Sequence, residues 1–132
     1  MRHCPSTCHT HTVETFDKTA SGSFTAPDHE FPSFLEIKLT ATDSSGTQTT
    51  TSVVINPQTV ALTLDSSPSG LDLGLDGSTD PTPFARTVIV NSRTTINAPT
   101  PQTLNGTTYA FSAWSDGGAA SHTIRTPAVA TT

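Results

Sequence analysis

Phe34-Leu35-Glu36-Ile37-Lys38-Leu39-Thr40-Ala41-Thr42-Asp43-Ser44-Ser45-Gly46 is the stretch on which the fold turns. Side chains of a strand alternate between two faces, so Leu35, Ile37, Leu39 and Ala41 make one apolar row, expected to point inward. Glu36, Lys38, Thr40 and Thr42 make the opposite, polar row. Asp43 to Gly46 carries the residues of a hairpin turn, Thr47 to Ile55 returns as the partner strand, and Pro57 ends it.

The same period of two recurs on both sides. Upstream, His9 to Phe16 alternates, with His9, His11, Val13 and Thr15 on one face; Ser21-Gly22 turns before Ser23 to Ala26, and Pro27 to Pro32 is irregular. Downstream, Thr59 to Leu64, Gly70 to Gly77, Phe84 to Val90, Thr94 to Ala98, Thr108 to Trp114 and His122 to Arg125 read as strands. Asn91-Ser92, Asn105-Gly106 and Asp116-Gly117-Gly118 separate them. About nine short strands with a turn every 8 to 12 residues predict an all-β chain of two small antiparallel, immunoglobulin-like β-sandwich modules in tandem. The modules are expected at residues 1–57 and 58–132, joined at Pro57-Gln58.

Composition agrees. Of 132 residues, 27 are Thr and 15 are Ser, which suits strands and turns rather than helices. With 6 Lys+Arg against 11 Asp+Glu, there is no basic cluster for a phosphate backbone, so nucleic acid is excluded as a partner. No apolar run approaches the roughly 20 residues of a membrane-spanning helix, so no membrane partner is expected.

Three constellations carry chemistry. The first is His3-Cys4-Pro5-Ser6-Thr7-Cys8-His9-Thr10-His11 with Asp28-His29-Glu30 downstream; four of the five histidines lie here. A His-x-His pair on a strand presents both imidazoles on one face, and His9, His11, Asp28 and His29 are the expected ligands of a divalent metal, zinc or copper. Cys4 and Cys8 suit either a local disulfide or a thiolate metal site, with oxidation the default in a secreted protein. The second is Tyr109, Trp114 and Asp116: aromatic faces stack on sugar rings and a carboxylate bonds hydroxyls, while a lone Trp also serves as a core anchor. The third is acidic turns at Asp43 and Asp72 to Asp76, which read as turn chemistry rather than calcium loops. Catalysis finds no support: there is no Gly-x-Ser-x-Gly elbow and no phosphate loop, and Ser115, Asp116 and His122 are near only in sequence.

The hairpin from Leu35 to Ile55 resembles the closing hairpin of a polycystic-kidney-disease-type repeat. Tyr109-Ala110-Phe111-Ser112-Ala113-Trp114-Ser115-Asp116-Gly117-Gly118 with Ser121-His122-Thr123-Ile124 resembles the end of a small β module at the C-terminus of secreted proteins. In tandem, behind the His/Cys segment and Pro-Asp-His-Glu, they are similar to the C-terminal region of secreted actinobacterial quinone-dependent sugar dehydrogenases of the glucose/sorbosone type. The resemblance implies accessory modules rather than the quinone-binding propeller, with the first module lacking its opening strands and the second its final one. It further implies a secreted, non-catalytic region that binds carbohydrate or an adjacent catalytic domain, and unpaired strand edges that invite homodimers. The rival readings are a metal-dependent enzyme built on the histidines and a structural spacer.

Overall fold

The computed structural model describes residues 1–3 and 7–132. Among them the regular structure is entirely β, in antiparallel sheets of the sandwich class, with no closed barrel and no helix that could cross a membrane. The chain divides into two compact units, Met1–Gln58 and Thr59–Thr132.

The first unit holds β1 (Arg2–His3), β2 (His9–Thr10), β3 (Ser33–Thr42) and β4 (Gln48–Ile55), in the sheet order β2-β1-β3-β4. β3 and β4 pair from Leu35↔Ile55 to Thr42↔Gln48. Asp43 closes their turn: one carboxylate oxygen accepts from the backbone N–H groups of Ser45 and Thr47 and from the Ser45 hydroxyl. Those bonds hold its carboxyl below the ordinary range, the Ser45 hydroxyl contributing most. The turn therefore consumes Asp43 without an ion.

Two expectations fail in this unit. The strand read from His9 to Phe16 ends at Thr10, and residues 11–32, including Ser23 to Ala26, join no ladder. The reason is pairing length, because the strand that β2 leans on is only two residues long. The apolar row of β3 is also not inward: Ile37 is 40% and Leu39 62% exposed, as is Val53 (56%) opposite Ile37. Among the described residues the unit has one sheet and no second one to cover that face. Its buried residues among those described are polar, His3 and Ser33.

The second unit has a true core. β5 (Thr59–Leu64) pairs with β8 (Phe84–Ile89), and β6 (Asp72–Leu75), β7 (Ser78–Pro81), β9 (Arg93–Asn97) and β12 (Ser121–Arg125) form a sheet in the order β12-β9-β6-β7. β10 (Gln102–Leu104) and β11 (Thr107–Tyr109) make a separate hairpin. Leu62 and Leu64 of β5, Leu73 and Leu75 of β6, Val88 of β8, Ile96 of β9 and Ala98 are all buried together. Asp76-Gly77 and Asn105-Gly106 have positive φ at both residues, the backbone that two-residue hairpins require. β7 and β10 were not anticipated, since Pro81 reads as a break. β7 is an edge strand, where a residue lacking an N–H is tolerated.

A Thr-rich chain can build this core because its buried hydroxyls are bonded. Thr82 donates to the Leu71 carbonyl (3.0 Å) and accepts from Gly70 N–H (3.0 Å). Ser92 donates to the Ile89 carbonyl at 2.8 Å.

Candidate functional sites

In the first unit, β1 and β2 bring the histidines together. The antiparallel register sets His3 directly opposite His9, and Met1 and His11 exchange backbone hydrogen bonds one pair further on. Residues two apart on a strand share a face, so His3, His9 and His11 point the same way. His29 reaches the group from the segment before β3. One ring nitrogen each from His3, His11 and His29 lies within 4.8 Å of the other two. His9 packs edge-on to His3 (4.3 Å between ring centres) and to His11 (4.7 Å), and its Nδ1 contacts the Thr7 carbonyl at 3.3 Å.

The trio thus contains His11 and His29 from the expected ligand set of His9, His11, Asp28 and His29, leaves out His9 and Asp28, and takes in His3. Glu30 lies beside the trio, its two carboxylate oxygens 3.4 Å from His3 Nδ1 and 2.8 Å from His29 Nδ1. The distances are within reach, but neither approach is aligned for a hydrogen bond, so both nitrogens are buried without one. Burial, and then the like charge of His29, holds His3 below the usual imidazole value; Glu30 opposes this, while His9 and His11 reinforce it. His3 is therefore neutral near pH 7, the form that ligates metals. A sequence signal for His3 exists: it stands in the same short His/Cys segment as His9 and His11, and the β1–β2 register pairs it with His9. Cys4 lies outside the described residues, so the Cys4–Cys8 pairing is not described; no described cysteine is a free thiol.

The second unit carries a cleft of about 640 Å³. Leu62 and Leu64, Leu73, Ile96 and Ile124 form its floor, and the segment Tyr109 to Asp116 forms one wall. That segment leaves the ladder after Tyr109, so the strand expected through Trp114 is cut short; the freed backbone carries Phe111 and Trp114 over the apolar floor. Their rings are 6.1 Å apart. Trp114 is half-buried, packs on the core and also lines the cleft. Its Nε1 donates to the Ala120 carbonyl at 3.2 Å. Tyr109 is half-buried on the same wall, and Phe111, outside the expected set of Tyr109, Trp114 and Asp116, also lines the cleft.

Asp116 stands at the rim. Its Oδ2 accepts from His122 Nε2 (2.8 Å) and its Oδ1 from Gly118 N–H (2.8 Å), while His122 Nδ1 donates to the Ala119 carbonyl (2.7 Å). The Gly118 bond, then His122, lowers the Asp116 carboxyl; the Asp116 bond, then Ala119, raises His122. A histidine donating from both nitrogens has no lone pair with which to act as a base, so this pair is a turn staple and not half of a triad. A Cβ on Gly118 would sit 2.3 Å from the His122 ring, so the staple requires glycine there.

Neither family models, curated proteins nor solved structures give a match to this chain.

Proposed function

We propose that this chain is a non-catalytic accessory region of a secreted bacterial carbohydrate-active protein, and that its second unit binds carbohydrate in the aromatic-walled cleft. The observation that carries the reading is the cleft itself: Tyr109, Phe111 and Trp114 on one wall, with the Asp116 carboxylate at the rim. Apolar ring faces take the C–H faces of sugars, and rim carboxylates and serine hydroxyls take hydroxyl groups. Each stacked ring contributes about 0.5–1.5 kcal/mol by analogy with aromatic pairs, which fits affinities of about a millimolar. The family resemblance of Tyr109 to Ile124 supports secretion and the accessory role.

Trp114 is the single tryptophan, so its emission reports on the cleft directly. Titration with soluble oligosaccharides is expected to shift that emission saturably, and insoluble polysaccharide is expected to retain the protein. Tyr109→Ala is the better test variant, because Tyr109 lies outside the core cluster whereas Trp114 packs against it. Retention lost in a folded Tyr109→Ala protein supports the reading. An emission unchanged by every glycan, together with no retention, overturns it. Attachment to an adjacent domain is the second reading, favoured by the uncovered apolar face of the β3–β4 hairpin.

A further inference from the structure

The first unit poses a stability problem. It has a single sheet, two of whose strands are two residues long, and a stretch at residues 11–32 that joins no ladder. Among the described residues, none of the buried apolar side chains belongs to it. Units of this size without an apolar core are ordinarily held by cross-links or metals. Its most buried described residue is His3, at 6% exposure, and the buried Nδ1 of His3 has no hydrogen-bond partner; nor does that of His29.

We infer that His3, His11 and His29 hold one divalent transition-metal ion, zinc or copper(II), and that this ion is the structural centre of the first unit. The three nitrogens already lie within 4.8 Å of one another. A tetrahedral zinc with bonds of about 2.0–2.1 Å sets its ligand nitrogens about 3.3 Å apart, so the rings need to close by no more than about 1.5 Å. Side-chain rotation supplies this without moving the backbone bonds between Met1 and His11, and His29 lies outside the strand ladders. Imidazole-only ligation selects zinc, copper or nickel over calcium or magnesium.

Glu30 has a defined place beside the ion. A carboxylate within 3.4 Å and 2.8 Å of the Nδ1 atoms of His3 and His29 is the partner that fixes ring orientation once Nε2 of each turns to the metal. The reorientation aligns the Nδ1–H groups with Glu30 and removes both buried, unbonded nitrogens together. Glu30 is thus a positioning residue. The ion joins β1, the end of β2 and the segment before β3, and so closes the 11–32 stretch into a loop. This inference is independent of the sugar cleft, which lies in the other unit.

The test uses the full chain, stripped with chelator and titrated with zinc chloride, with metal content by elemental analysis and amide exchange by mass spectrometry. About one zinc per chain is expected to be retained through desalting. Amides from the first unit are expected to exchange more slowly with zinc, while those from residues 59–125 are unchanged. His29→Ala is the decisive variant, because His29 is in no strand and its loss breaks no ladder. It is expected to weaken zinc at least 100-fold, Glu30→Gln about tenfold, and His122→Ala not at all. A metal-stripped wild-type chain that takes up no stoichiometric zinc or copper overturns the inference. So does a His29→Ala chain that binds as tightly as wild type, or zinc uptake without any slowing of exchange in the first unit.

Discussion

His122 shows what a single side chain decides. With Nδ1 on the Ala119 carbonyl and Nε2 on the Asp116 carboxylate, both nitrogens donate and the folded state favours the imidazolium. Its value is raised from 6.5, chiefly by the Asp116 bond, so the stability it contributes is full below about 6.5 and disappears as pH rises through the folded value. Asp116 is lowered from 3.8, chiefly by the Gly118 N–H, so its share is present above that value and lost as pH falls through the folded one. The pair is therefore strongest between these limits. The melting temperature of wild type is expected to exceed that of His122→Gln at about pH 5.5, with the gap closing by about pH 9. A gap independent of pH would show that His122 acts by packing alone. Gly118→Ala, whose Cβ would meet the imidazole, is expected to remove the same pH-dependent increment.

At the level of the element, two leucines on alternating strands meet opposite fates. Leu73 of β6 is 5% exposed within the seven-residue core, and Leu39 of β3 is 62% exposed. Leu73→Ala is expected to cost about 2–5 kcal/mol in denaturant unfolding of the second unit, by lost transfer energy and the cavity left behind. Leu39→Ala is expected to lie within about 0.5 kcal/mol of wild type, because water already reaches the side chain. Equal effects would mean that the β3 face is covered in solution. On the opposite, polar face of the hairpin, cross-strand threonines bond each other: the Thr40 and Thr50 hydroxyls are 2.8 Å apart, directly opposite in the ladder.

For the whole molecule, β4 is the outer strand of its sheet, beside an exposed apolar row of Ile37, Leu39, Val53 and Ile55. Free backbone edges and exposed apolar rows drive strand pairing between chains. Sedimentation at rising concentration is expected to show a reversible dimer, with Leu39→Lys shifting the protein to monomer. A wild-type monomer at millimolar concentration would mean that the edge is protected.

The sequence by itself determined the class and the punctuation. Period-two patterning and turn dipeptides such as Asp76-Gly77 and Asn105-Gly106 act locally, through φ preferences and alternating side chains, so an all-β antiparallel chain and most strand positions were legible. The alternation of Leu35, Ile37 and Leu39 correctly gives a shared face, but a pattern cannot say whether a second sheet exists to cover it. Only the tertiary structure decided that. It also decided which histidines meet: His3 and His29 are 26 residues apart in number, and the β1–β2 register with the path of the chain into β3 brings their rings to 3.9 Å. Spacing along one strand found His9 and His11 and passed over His3 and Glu30, because ligands are chosen by distance in space. Likewise the cleft arises where the chain leaves its ladder after Tyr109, and a residue's departure from a sheet depends on which neighbours are free to bond it.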